Sequence, residues 1–127
     1  MKNLYLLFML LLSSNSYAID IATEVSRQVG YGWKNKVELT EGWLFVYLTK
    51  TNINKNIYSY VMKTGVCILE LESYYPGLLE SVTKIIIQDN NGKFYAFNGG
   101  SEECKELNNA GLGKKGDAYL ESKTWKK

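Results

Sequence analysis

Hydrophobic residues recur at helical spacing in some segments of the chain and at strand spacing in others. In residues 20–29, apolar side chains four residues apart predict a short helix with Asp20 as its cap, ended by the glycines of the VGYGW stretch. Residues 36–49 are rich in aromatic and β-branched residues around a turn-like Glu-Gly pair. They predict either a hairpin or one bent strand.

The middle of the chain has the apolar periodicity of a helix. A helix over residues 54–73 would begin at a capping asparagine, and one of its faces would carry Ile57, Val61, Thr64, Ile68 and Leu71. The run VCILELE in this segment fits a strand as well, and Gly65 weakens a helix. We predict a helix throughout, with a helix followed by a strand as the alternative.

Two β-rich runs flank an Asn-Gly turn in the C-terminal half of the chain. They predict a β-hairpin over about residues 82–97. Ser101 then caps a predicted short helix with two glutamates in its first turn, where they favour the helix dipole. This order of elements predicts a small single α+β domain, in which an antiparallel sheet packs against two or three helices.

The N-terminal segment is organised like an export signal. Lys2 precedes nine consecutive apolar residues, and small polar residues follow, with Ala18 ending a small-x-small arrangement. Nine residues rise about 14 Å as a helix, which is short of the ~30 Å core of a bilayer. We predict a signal peptide over residues 1–18, cleaved between Ala18 and Ile19. The exported product would be periplasmic or extracellular, with no membrane span after cleavage.

Two cysteines, Cys67 and Cys104, remain in the 109 residues that this cleavage would leave. An even number of cysteines in an exported protein usually means that they are paired. A bridge across this separation would stabilise the fold by roughly 3–4 kcal/mol on the chain-entropy model. We therefore predict one disulfide, and two buried free thiols are the alternative.

Composition narrows the chemistry that the chain can perform. The formal charge is +2 and falls to +1 without Lys2, which argues against nucleic acid as a partner. The chain has no histidine, so the usual general base near neutral pH and the commonest metal ligand are both missing. We expect no cofactor and no metal site.

A glycine-rich stretch near the C-terminus matches the spacing of a phosphate-binding turn. Gly111, Gly113 and Gly116 spell G-x-G-x-x-G beside Lys114 and Lys115. Such a turn needs a strand before it and an acidic residue about twenty positions later, whereas a predicted polar helix precedes this one. We interpret the residues from about 110 onward as a flexible basic segment with at most one further helical turn.

Carboxylates are the remaining candidates for catalysis. Glu70 and Glu72 lie two residues apart, so they share a face if the segment is a strand and not if it is a helix. A small envelope hydrolase that uses carboxylates such as Glu70 or Glu72 is the enzymatic alternative.

Aromatic residues are abundant, with seventeen in the chain and fourteen beyond the predicted signal. Tyr and Trp suit recognition surfaces because they combine a large contact area with a polar group. We expect partner contacts at Tyr31, Trp33, Tyr74, Tyr75, Lys114, Lys115 and Trp125. Periodicity assigns a second set to the core, namely Trp43, Phe45, Tyr47, Tyr60, Phe94 and Phe97.

These features together favour a non-enzymatic binding module over an enzyme. We expect an exported protein that binds a protein of the cell envelope. An inhibitor or immunity protein against an envelope enzyme or toxin is one type within this class. A structural subunit of an envelope assembly is a further alternative, and it would present an unpaired strand edge at residues 82–88 or Trp43–Leu48.

Overall fold

The structure, a computed structural model, describes residues 20–30 and 33–126 of the chain. Five strands form one sheet in chain order: β1 Lys34–Thr40, β2 Trp43–Leu48, β3 Lys84–Gln88, β4 Phe94–Asn98 and β5 Thr124–Lys126. Four α-helices accompany it: α1 Ile21–Val29, α2 Lys55–Tyr60, α3 Ser101–Ala110 and α4 Lys114–Ser122. The predicted α+β class is confirmed. No helix in the described part of the chain is long and apolar enough to cross a membrane.

The sheet is mixed, because β2 and β3 run parallel while every other neighbouring pair is antiparallel. A parallel pair needs a long crossover connection, and the helical segment after β2 supplies it. The strands suggested from sequence as unpaired edges, β2 and β3, are central, since each has a partner on both sides. Among the described strands, β1 and the three-residue β5 are the outermost.

The first helix forms where predicted, with Asp20 at the N-cap position but with no capping hydrogen bond to its side chain, and of the two alternatives for the next segment the hairpin is found. Gly30 follows α1 with a φ of 85°. Glu41 and Gly42 both have positive φ, 49° and 83°, which is the backbone of a two-residue type I′ turn. The β1–β2 pair is therefore a tight hairpin rather than one bent strand.

The predicted central helix is confirmed as far as Glu70, although only its first part is α-helical. Asn54 caps α2, because its side-chain oxygen accepts the N–H of Ile57 at 2.9 Å. A π-helical turn follows at Val61–Val66 and a 3₁₀ turn at Cys67–Glu70. No strand forms in this segment, so the helix-then-strand alternative is wrong.

A buried glutamate organises the loop that follows the 3₁₀ turn. Glu70 is 3 % exposed, and its carboxylate accepts the N–H of Gly77 at 2.6 Å and that of Leu79 at 2.7 Å. The Ser101 hydroxyl donates to the same carboxylate at 2.9 Å. Ser101 is therefore not the helix cap that the sequence predicted. Gly100 occupies that position in α3.

The residues after α3 form α4 and β5, where the sequence suggested a flexible basic segment. Gly111 ends α3 with a φ of 91°, and an added Cβ at Gly116 would lie 1.8 Å from the Gly111 carbonyl oxygen. The buried Lys63 ammonium donates to the Leu112 carbonyl and pairs with Asp117. The hydrogen bond and the charge of Lys63 lower the pKa of the Asp117 carboxyl. Gly111 and Gly116 thus allow α3 and α4 to be joined by a tight connection, which the Lys63 contacts stabilise.

The core lies between one face of the sheet and the helices. Its fully buried side chains include Val25, Leu44, Val46, Met62, Leu69, Ile85, Ile87, Phe97 and Leu107. The predicted disulfide is present and joins Cys67 in the 3₁₀ turn to Cys104 in α3. Both sulfurs are buried in this core, so the alternative of two free thiols is not found.

Candidate functional site

The sheet face opposite the core carries a second apolar layer. Side chains alternate between the two faces of a strand, and the registers align the outward ones in three rows. The rows are Thr40, Trp43, Lys84 and Asn98; then Glu38, Phe45, Ile86, Ala96 and Trp125; then Lys36, Tyr47, Gln88 and Phe94. None of these residues belongs to the core cluster of the described chain or packs against it. We call this surface the open face.

The middle of the open face is a shallow groove. Ile86 and Ala96 form its floor and are only 6 % and 2 % exposed, although they lie outside the core. Larger neighbours shield them from the sides, and two of these, Trp43 and Trp125, are 43 % and 54 % exposed. The groove encloses about 260 Å³. Large exposed aromatic rings above a recessed aliphatic floor form a shape that an apolar partner can fill.

Aromatic rings pack against one another to form the two walls of the groove. On β2, ring centroids lie 6.3 Å apart for Trp43 and Phe45 and 6.0 Å apart for Phe45 and Tyr47. On the other side, Phe94 and Trp125 lie 5.5 Å apart. Such contacts contribute about 0.5–1.5 kcal/mol each beyond area burial, so they favour this arrangement of the wall side chains before any partner binds.

Charged groups lie at the borders of the open face. Lys36 is 3.6 Å from Glu38, and the Tyr47 hydroxyl donates to the same carboxylate at 3.3 Å. Burial, followed by the charge and hydrogen bond of Glu38, raises the pKa of Tyr47, so its phenol stays protonated and remains a donor. Lys84 lies over the Trp43 ring, with its ammonium 4.7 Å from the ring centroid.

Among the sequence-predicted contact residues that the structure describes, Trp125 alone lies on the open face. Trp33 is elsewhere: it stacks on Tyr60 with centroids 5.5 Å apart and lines a crevice of about 110 Å³. Lys50 lies 4.7 Å from the Trp33 ring centroid. Tyr60 is 57 % exposed, so its assignment to the core was wrong. Trp33 and Trp125 therefore line different cavities.

The other predicted contact residues are distributed over separate surfaces. Tyr74 is exposed in the loop after the 3₁₀ turn, whereas Tyr75 is half-buried and packs against the core. Lys114 and Lys115 are exposed in the first turn of α4. The remaining predicted residues, Tyr31 and the cleavage pair Ala18 and Ile19, lie outside the described residues.

Most of the aromatic residues assigned to the core from sequence are on the open face. Trp43, Phe45, Tyr47 and Phe94 all point away from the helices, and of the six only Phe97 is in the core. The signal was present in β2, where every odd position is aromatic and every even position is aliphatic. Residues two apart share one face of a strand, so this pattern predicts one aromatic face and one aliphatic face.

A cleft lies between α2, α4 and β5, and it encloses about 460 Å³. Tyr58 and Tyr95 stack in it with centroids 4.8 Å apart, and the Tyr58 hydroxyl bonds with Thr124 at 2.6 Å. Lys55 and Glu121 form an ion pair at 3.2 Å among the lining residues. These polar groups therefore already have partners within the chain.

The two carboxylates considered for catalysis are in unlike environments. Glu70 is buried and its oxygens accept three hydrogen bonds from the loop and from α3, while Glu72 is exposed in a turn. These contacts give Glu70 a structural role in holding the loop.

Comparison with known proteins adds no further constraint. The chain matches no protein-family model, no curated protein and no solved structure.

Proposed function

We propose that this chain is an exported, non-enzymatic recognition module that binds a protein of the cell envelope through the open face. One observation carries the proposal: a five-stranded sheet has helices on one face and an aromatic groove on the other. Aromatic side chains that are large and held in place are the residues that contribute most to protein–protein binding.

The energetics of the open face support binding rather than folding as its purpose. Trp43 and Trp125 each leave about half of their surface in water. An aromatic side chain buries about 150–250 Å² when covered, so a partner would remove on the order of 200 Å² from water at these two residues alone. At about 25 cal/mol per Å², this corresponds to roughly 5 kcal/mol before the costs of association.

The disulfide supports the proposed compartment. Disulfides form and persist in oxidising environments such as the periplasm and the extracellular space. The Cys67–Cys104 bridge ties the 3₁₀ turn to α3 on the helical side of the sheet. It therefore stabilises the layer that supports the open face without occupying it.

The structure supports the two alternative functions, a carboxylate hydrolase and an assembly subunit, less well. A carboxylate hydrolase would need an available carboxylate at the position of Glu70, whose oxygens are taken by the loop. An assembly subunit was expected to present β2 or β3 as an edge, and both strands are central. Among recognition proteins, an inhibitor or immunity protein against an envelope enzyme or toxin fits a small chain with a rigid binding face.

The test captures partners from envelope extract and then asks which face binds them. The full sequence, with a C-terminal tag on a flexible spacer, is expressed so that the exported form can be purified. Retained proteins are identified by mass, and each is then produced separately to measure its Kd. We expect Trp43→Ala and Trp125→Ala to weaken binding about thirtyfold or more, as loss of a central aromatic contact does.

Trp33→Ala is the matched control, because Trp33 is an aromatic residue on another surface with its own stacking partner. It should leave the Kd within about twofold of the wild-type value. A partner whose affinity drops with Trp33→Ala and not with the open-face variants would overturn the assignment of the surface. Circular dichroism of each variant verifies that the fold is retained.

Export has its own test. The purified protein should begin at Ile19, with an intact mass two daltons below that of the reduced chain (one disulfide's worth of hydrogen). A mass that retains residues 1–18 would argue against cleavage at the predicted position.

A further inference from the structure

The first end of the groove carries a positive charge that no described residue neutralises. Lys84 lies over Trp43, and within the described chain no carboxylate comes within 4 Å of its ammonium group. Asn98 is directly across the ladder from Lys84 and is exposed, so its side chain stands on the same face, with a Cβ–Cβ separation of about 5 Å. This end therefore combines an ammonium group, an amide and an indole ring.

Of the described residues that line the other end of the groove, none is charged. Gln88 and Phe94 are paired there, and the adjacent Lys36 has its own counter-charge in Glu38. The Tyr47 hydroxyl also donates to Glu38, so this carboxylate is engaged twice. Among the described residues, an occupant of the groove would thus meet the unpaired ammonium of Lys84 at the first end and no unpaired cation at the second.

The dimensions of the groove favour a single extended chain. One wall stands on β2 and the other on β4 and β5, two to three strand spacings or about 10–14 Å apart at the backbone, and aromatic side chains narrow the gap. An α-helix is about 10–12 Å wide with its side chains, which is the backbone spacing of the walls before their aromatic rings are counted, whereas a single extended chain is about 5 Å wide, one strand spacing. The three rows of outward residues span about 14 Å along the strands, which is the length of four or five extended residues.

We propose that the groove binds an extended protein segment of four or five residues with a carboxylate at the Lys84–Asn98 end. Apolar side chains of this segment would cover Ile86 and Ala96, and its carboxylate would accept hydrogen bonds from the ammonium and the amide. This inference rests on the proposed function, because it takes the open face as the partner-binding surface. It adds the chemistry and the direction of the bound segment.

The test uses a display library of random seven-residue peptides, so no partner has to be known. The wild-type protein should enrich peptides that alternate apolar residues and carry Asp, Glu or a free carboxyl terminus at one end. Lys84→Glu should change that preference from acidic to basic residues. For individual peptides, we expect an acidic and a basic version to differ at least tenfold in Kd, with the preference reversed in the variant.

Lys115→Glu is the matched charge control. Lys115 is an exposed lysine of α4, so its reversal changes the net charge equally without touching the groove. It should leave the acidic preference intact, and equal effects of the two reversals would mean that the protein's overall charge selects the peptides. That result would overturn the proposed subsite.

Three other outcomes would also overturn the inference, and they separate it from the proposed function. Apolar peptides that require Trp125 but have no charge preference would leave the open face as the binding surface and remove the carboxylate. Dimers that Trp125→Ala dissociates in sedimentation would assign the groove to a second copy. Binding to purified cell-wall glycan that Trp125→Ala abolishes, with no peptide enriched, would replace the protein partner with a carbohydrate.

Discussion

Replacing Glu70 by glutamine tests whether this carboxylate is structural. The amide keeps the volume of the side chain, so no cavity forms, and its oxygen can still accept from Gly77 and Ser101. The amide nitrogen then faces the buried N–H of Leu79, which donates to the other carboxylate oxygen at 2.7 Å. An unsatisfied buried N–H costs about 1–3 kcal/mol, and the unpaired amide adds about 1 more. We therefore expect a loss of about 2–4 kcal/mol, a large fraction of the 5–15 kcal/mol typical of a small domain.

Urea unfolding measures this loss, with tryptophan fluorescence and far-ultraviolet circular dichroism as two probes of one transition. Glu72→Gln is the matched control: the same change two residues away, at an exposed side chain, should shift the free energy of unfolding by less than about 0.5 kcal/mol. If Glu70→Gln unfolds within 0.5 kcal/mol of the wild type, the three hydrogen bonds do not hold the loop. The carboxylate would then again be a candidate for catalysis.

Three further measurements probe other parts of the fold. Asp89, directly after β3, is buried, and its carboxylate accepts the backbone N–H groups of Ile53, Asn91 and Lys93. Burial opposes its ionisation, but these donors outweigh burial and lower the pKa of Asp89. Its contribution to stability is therefore present above the unfolded pKa of about 3.9 and is lost as the pH falls through the folded value. Asp89→Asn should destabilise the protein at pH 7 and remove this acid-dependent part; identical pH profiles would contradict the reasoning. Cys67 and Cys104 are 37 residues apart, so replacing both by serine should lower the free energy of unfolding in urea by about 4 kcal/mol. A loss below about 1 kcal/mol would contradict the chain-entropy reasoning. Gly116→Ala should lower Tm, because the added Cβ would lie 1.8 Å from the Gly111 carbonyl oxygen. Gly113→Ala is the control and should leave Tm unchanged, because its Cβ would have no atom within 4 Å. Equal Tm values for the two variants would show that the connection between α3 and α4 relaxes.

Local elements were predictable where one physical signal dominates. The Asn-Gly turn between β3 and β4 requires positive φ, and Gly92 has a φ of 86° there. The helix over residues 54–70 follows from its apolar periodicity and from the Asn54 cap. In contrast, the parallel pairing of β2 with β3 depends on contacts between residues distant in sequence, which the local spacing of apolar residues does not predict. The formation of α4 likewise depends on a residue far from it in sequence, because the buried Lys63 contacts Leu112 and Asp117 at its start.

The candidate site was missed for a related reason. A strand with apolar residues at every position, such as β2, is typical of a sheet covered on both sides, and this led to the assignment of its aromatic residues to the core. Covering both faces requires helices on both, and the four helices of the described chain are on one. The sheet has two apolar faces, and the described helices form one layer, so one face is left without a helix packed on it.

The one-sided arrangement also explains how a small chain can maintain an exposed aromatic groove. The inner face, the disulfide and the loop held by Glu70 supply the stability, so the outer face is free to vary without unfolding the protein. Two features limit how much apolar surface the open face presents to water. Aromatic rings shield Ile86 and Ala96. Lys84 lies over the Trp43 ring and Lys36 over the Tyr47 ring, where their charges disfavour non-specific apolar contacts. An apolar surface bordered by charge in this way selects a partner that brings both a matching apolar segment and a counter-charge, which is the chemistry proposed for the groove.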